Sequence, residues 1–168
     1  MSQSSELTVA RTEQGYVVAV VGQGTRIQSP AVRDFISGAL EDGASVVLDL
    51  SACNYLDSTF LGCLVILHKR SAAKESGCDG QRFCIHAGEE VVQKLLHPTR
   101  LDSILTCNAQ PPATTGEAVP LPVVDLERKE FGKHLLDTHE ELAAVDSPSS
   151  AAFRLVCDQL RNELGEGE

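Results

Sequence analysis

Residues 46 to 70 read VVLDLSACNYLDSTFLGCLVILHKR. Val46 to Leu50 is an apolar run of strand length, a polar turn follows it, and Asp57-Ser58-Thr59 stands directly in front of a longer apolar run. Asp, Ser and Thr are preferred helix N-caps, and with Asp57 in that position Leu56 and Leu61 fall at the two ends of a hydrophobic staple. The reading is a strand, a turn and a helix starting near Thr59 and running to about Ser76. Such a junction sets a hydroxyl where the first backbone N–H groups of a helix are unpaired and the macrodipole is positive, a setting that favours a phosphate. Ser58 is therefore the candidate phosphoacceptor and Thr59 the alternative, although the same three residues also serve as a plain cap.

The flanking sequence supplies the rest of one layered unit. Residues 6 to 12 and Tyr16 to Val21 predict two strands joined by a turn at Glu13-Gln14-Gly15. Ser29 as N-cap and Pro30 at the first helical position predict a helix whose apolar positions Val32, Phe35, Ile36 and Leu40 recur until Gly43. Beyond the central helix, Arg82 to Ile85 predicts a strand and Glu89 to Leu96 a helix stopped at His97-Pro98. Leu101 with Ile104-Leu105 predicts a last short strand. Helical crossovers between strands imply an α/β architecture in which a mixed β-sheet of four to five strands is covered by helices.

The strand, the turn, Asp57-Ser58-Thr59 and then Leu61-Gly62 leading an apolar helix resemble the STAS domain. Bacterial anti-sigma-factor antagonists and the cytoplasmic tails of sulfate transporters share that domain. In the antagonists the motif reads roughly Asp-Ser-Ser/Thr-Gly-Leu-Gly, and the Ser after the Asp is phosphorylated by an anti-sigma factor that is also a kinase; by position that Ser is Ser58. The resemblance spans roughly residues 6 to 108. Two departures stand out. Phe60 replaces the usual Gly, and the segment Gly22-Gln23-Gly24-Thr25 stands where the antagonists tend to carry Gly-Glu-Leu-Asp. Asp57, Thr59, Phe60, Gln23 and Thr25 are accordingly the expected partner-binding residues, with Phe60 partly exposed as a specificity element.

The last third lies outside the resemblance. Residues 109–125 are rich in Pro, Thr, Ala and Gly and read as a linker between a domain at 1–108 and an extension at 126–168. Leu126 to Val145 and Pro148 to Leu164 predict a C-terminal helical hairpin, with Ser147 as the cap of the second helix. Residues 116 to 168 carry 12 acidic and 5 basic side chains, so this third holds −7 of the net charge of −10. The central helix is apolar at Phe60, Cys63 and Leu67 as well as at Leu61, Leu64 and Val65, so both its sides call for cover, from the hairpin or from a partner.

With 168 residues, 42% of them hydrophobic, the chain can bury one substantial core. The acidic balance argues against nucleic-acid binding. No charged-then-apolar leader opens the sequence, and Phe60 to Leu67 falls far short of a membrane span, so a soluble, cytoplasmic protein that does not associate with membranes is expected. The six cysteines form no Cys-x-x-Cys pair and the five histidines are dispersed, which gives no metal site and no cofactor. His134 and His139 are read as surface or cap residues on different helical faces, and Asp49 and Asp57 as turn and cap residues. With no phosphate-binding glycine loop and no nucleophile–base pair, the sequence does not read as an enzyme.

What the resemblance implies is a phosphorylation-switched binding protein whose partner is an anti-sigma factor and serine kinase of the histidine-kinase-like ATPase type, regulating transcription. The alternative is a STAS scaffold or small-ligand module with no phosphorylation cycle, using its hairpin to dock or to form a homodimer.

Overall fold

The computed structural model describes residues 4–73, 82–108 and 110–165. Strands β1 (Glu6–Arg11) and β2 (Gly15–Gly24) form an antiparallel pair, and β2 lies parallel to β3 (Ser45–Asp49). β3 is parallel to β5 (Phe83–His86), and β5 to the two-residue β6 (Cys107–Asn108). A short β4 (Cys53–Leu56) runs parallel to the far end of β2. On the other edge β7 (Val119–Pro120) pairs antiparallel with β1. The sheet is mixed, in the order β6-β5-β3-β2-β1-β7 with β4 attached to β2.

One face of the sheet carries the core. Leu7, Val9, Val18, Val20, Val46, Leu48, Phe83 and Ile85 point into it and are buried, while the alternate residues of β3 are only partly covered. Helices α1 (Ser29–Glu41) and α2 (Ser58–Ala73) lie on that face. The C-terminal hairpin, α4 (Arg128–Ala144) and α5 (Ser150–Leu164), forms a further helical layer: α4 packs on α2, and Leu142 and Phe153 join the core. This explains why α2 is apolar around most of its circumference, since Leu61 to Leu67 are buried between two layers, Gly62 at the crossing with α4.

The two helical layers touch backbone to backbone where α4 crosses α2 at Gly62. A Cβ on Gly62 would lie 2.1 Å from the Thr138 carbonyl oxygen, so only glycine allows α4 to cross α2 this closely.

Several local expectations are corrected. Ser29 does not cap α1: Gln28 precedes the helix, and Ser29 is fully buried inside its first turn with its hydroxyl turned to α4. Ser147 does not cap α5, which starts after Ser149 without a side-chain cap. Glu89 to Leu96 is not one regular helix. It is one α-turn, α3 (Glu89–Val91), a π turn over Val92–Leu96 and 3₁₀ turns over His97–Thr99 and Leu101–Ser103. Pro98 has no N–H for the Lys94 carbonyl, and its ring crowds that carbonyl, so the regular ladder cannot continue. Leu101, Ile104 and Leu105 are not a strand; their spacing of three and four is helical, and the Leu105 N–H donates to the Leu101 carbonyl at 2.8 Å. The strand at that sheet edge forms later, at Cys107–Asn108. The expected end of α2 near Ser76 lies outside the described residues.

Candidate functional site

The parallel strands β2, β3 and β4 end at one edge of the sheet, and there the first turns of α1 and α2 begin, the place where open α/β sheets present their functional groups. Asp57 joins the two turns. Its Oδ1 accepts the Phe60 N–H at 2.9 Å, the N-cap bond of α2, and its Oδ2 accepts the Arg26 N–H at 2.7 Å from the loop before α1. Its own N–H donates to the Gly24 carbonyl at 3.0 Å. Thr25 is bound into the same loop, donating from its N–H and its hydroxyl to Gln28 Oε1 at 2.9 and 2.8 Å. Gln23 pairs in register with Tyr55 across β2 and β4. The fold thus brings Gln23, Thr25, Asp57, Ser58 and Thr59 to one edge. Asp49 stands apart, accepting from Ser51 in a local turn.

Phe60 differs from expectation. It is 0% exposed and belongs to the core, so it offers no surface for a partner. The room for its ring comes from Gly24: a Cβ there would meet Leu56 Cδ2 at 2.6 Å and Phe60 Cδ2 at 3.0 Å. The antagonists' pattern places Leu at position 24 and Gly at position 60, so the two departures exchange volume and the core stays filled. Thr59 is buried as well, leaving Ser58 as the more accessible hydroxyl of the pair, although it too is partly covered.

The cover on Ser58 is a histidine. Ser58 Oγ lies 2.9 Å from His139 Nε2 on α4. His139 Nδ1 is 2.7 Å from the Leu135 carbonyl, which can only accept, so Nδ1 carries a proton and Nε2 is the ring atom turned to the Ser58 hydroxyl. A matching pair sits one helix away, where His134 Nε2 contacts Ser29 Oγ at 2.7 Å. Arg33 Nη1 donates to His134 Nδ1 at 3.3 Å, which puts the His134 proton on Nε2, pointing at Ser29. Burial, reinforced by the Arg33 guanidinium, pushes His134 down to about 4, so it is neutral near pH 7. Arg33 also reaches Asp137, and Lys69 reaches Glu141, at the margins of the same contact.

Both histidines were expected at the surface, and both are buried, on the side of α4 that meets the domain. A signal was present: His139 falls four residues after Leu135 and three before Leu142, inside the apolar stripe rather than beside it. The buried thiol of Cys63 is pushed up to about 12 and is unreactive. Among the described residues no cluster of three or more His, Cys, Asp and Glu could hold a metal, and no helix is long and apolar enough to cross a membrane.

Known proteins share this architecture. The model of the family described as "Mlab, STAS domain" matches residues 7–106, from β1 to just short of β6. The crystal structure of an anti-sigma factor antagonist from Mycobacterium paratuberculosis is similar in fold, with a TM-score of 0.51 and 23% sequence identity, covering 64% of this chain and 87% of that one. The hairpin of α4 and α5 falls outside the family match. With more than half of its residues matched, the chain belongs to the STAS domain family.

Proposed function

We propose that this STAS protein is a partner-binding module switched by phosphorylation of Ser58, acting as an anti-sigma factor antagonist. The observation that carries the reading is the place of Ser58, the first residue of α2, directly after the capping Asp57 and at the edge where Gln23 and Thr25 also converge. A kinase would transfer the γ-phosphoryl group of ATP to Ser58 Oγ, with the hydroxyl proton released and ADP leaving. The product adds about −1.5 to −2 charges at a helix start, where backbone N–H groups tolerate them, so the switch acts by repelling or misfitting the partner. The unmodified form binds the anti-sigma factor, a serine kinase of the histidine-kinase-like ATPase type, in the cytoplasm. Gln23, Thr25 and Asp57 frame that contact, with Thr59 buried beneath them, and Ile27 and Tyr55, 58% and 48% exposed on the neighbouring loop and strand, supply apolar area for it. Residues 1–108 form the binding unit and residues 126–168 its appended hairpin, with 109–125 between them.

Incubation of the full chain with that kinase and ATP, read by mass spectrometry, tests the reading. Phosphate on Ser58, together with partner capture by Ser58→Ala and its loss in Ser58→Asp, supports it. Modification only elsewhere, or equal capture by both variants, overturns it.

A second reading has one observation in its favour. The Ser58 hydroxyl is already engaged by His139, as suits a STAS scaffold with no phosphorylation cycle, in which the hairpin is a fixed part of the architecture.

A further inference from the structure

The hairpin covers the Ser58 side of the surface that a partner of Ser58 would need. His139 meets the Ser58 hydroxyl, Thr138 presses its backbone on Gly62 one turn further along α2, and His134 closes over Ser29 at the start of α1. Leu142 is buried with the domain core in the same interface. A phosphoryl group on Ser58 would have to enter a gap of 2.9 Å between Oγ and a ring whose other nitrogen is held by its own helix. We propose that α4 is an internal competitor for the Ser58 face: with the hairpin docked Ser58 is closed to modification and to partners, and modification of Ser58 and docking of α4 exclude each other. The proposal rests on the reading of Ser58 as the regulated residue and adds what controls access to it. By linkage, whatever opens the hairpin exposes Ser58, and whatever enlarges Ser58 opens the hairpin.

The crossing at Gly62 gives a clean way to open the contact. Alanine is a better helix former than glycine, so Gly62→Ala leaves α2 intact while its Cβ collides with the Thr138 carbonyl. Leu142→Glu disrupts the same contact from the α4 side. In the full chain, Ser58→Cys provides a reporter, and the rate at which iodoacetate alkylates the introduced thiol is followed by peptide mass spectrometry. Alkylation at position 58 should be slow in Ser58→Cys alone and faster by about tenfold or more when Gly62→Ala or Leu142→Glu is added, as expected for a site exposed by a local opening. Equal rates in variants whose α4 amides exchange freely would overturn the proposal.

A second measurement does not depend on those substitutions. Once the thiol introduced by Ser58→Cys carries the anionic carboxymethyl group, amides of residues 135–145 and 153–160 should exchange faster while those of β2, β3 and β5 stay protected. Retained protection of α4 after complete alkylation would equally sink the idea. These outcomes separate the two readings. If the introduced thiol is gated but no kinase phosphorylates Ser58, the competitor stands and the phosphorylation cycle falls. If the kinase modifies the docked and opened proteins equally fast, only the competitor falls.

Discussion

Phe60 occupies space that Gly24 leaves open: a Cβ on Gly24 would come within 3.1 Å of two carbons of the Phe60 ring. The pair couples the loop before α1 to the first turn of α2, beneath the residues proposed to meet a partner. Phe60→Gly removes a fully buried ring, a change that costs about 3–5 kcal/mol, or about 10 °C in Tm for a chain of this size. Gly24→Leu alone overpacks the site and lowers Tm as well. The double variant Gly24→Leu/Phe60→Gly should recover part of both losses, with a coupling of at least about 1 kcal/mol in a thermal-denaturation cycle. Additive losses would mean that the two positions do not share one volume.

Asp57 carries two backbone bonds, one to each helix start. Asp57→Ala should therefore cost about 1–2 kcal/mol, at the upper end for a lost N-cap, and speed amide exchange at both Arg26 and Phe60. Exchange confined to Phe60 would show that the bond to the α1 loop contributes nothing.

Acid should loosen the hairpin through His134. Its pKa is about 4 when docked, against about 6.5 for a free imidazole, so protons bind more readily to the undocked or unfolded state. Above about pH 6.5 the ring is neutral in both states and docking is unaffected. As pH falls from about 6.5 toward 4, stability is lost progressively, and below about 4 this loss levels off. The groups facing the ring act in both directions: Arg33 and His139 hold the pKa down and Asp137 raises it. Amide exchange on α4, followed between pH 7 and 4.5, should accelerate relative to β3, and His134→Gln should flatten that dependence. An unchanged slope in the variant would assign the effect to another group.

Ser29 and His134 form a buried pair, so Ser29→Ala leaves the His134 N–H without its acceptor. The expected cost is about 1–3 kcal/mol, appearing as faster exchange in α4 rather than as fraying of α1. Fraying at residues 30–33 would indicate that Ser29 supports its own helix after all.

Near-neighbour information made much of the fold legible. The run Val46 to Leu50, the cap at Asp57 and the amphipathic stripes of both C-terminal helices are patterns within a dozen residues, and each became the expected kind of element. What escaped depended on distant or very short contacts. Phe60 reads as exposed until Gly24 is seen to make room for it. His139 reads as a surface residue until Ser58 is placed opposite. Strand β7 is two residues long, too short for any periodicity, and exists because the edge of β1 offers unpaired backbone groups; Pro120 is tolerated there because that edge lies at the rim of the sheet. At the site, the apolar circumference of α2 called for cover that the hairpin supplies, but nothing in the sequence paired a histidine with Ser58.

That small strand sets the terms on which any rival meets α4. β7 fastens the chain to the sheet at Pro120, and α4 begins at Arg128, so seven residues connect a fixed anchor to the competing helix. A tether this short holds its cargo at an effective concentration of the order of millimolar. A released hairpin therefore stays within reach and returns unless something else occupies the face. The affinity a partner needs is set by the length of that leash rather than by how much of the protein the cell contains.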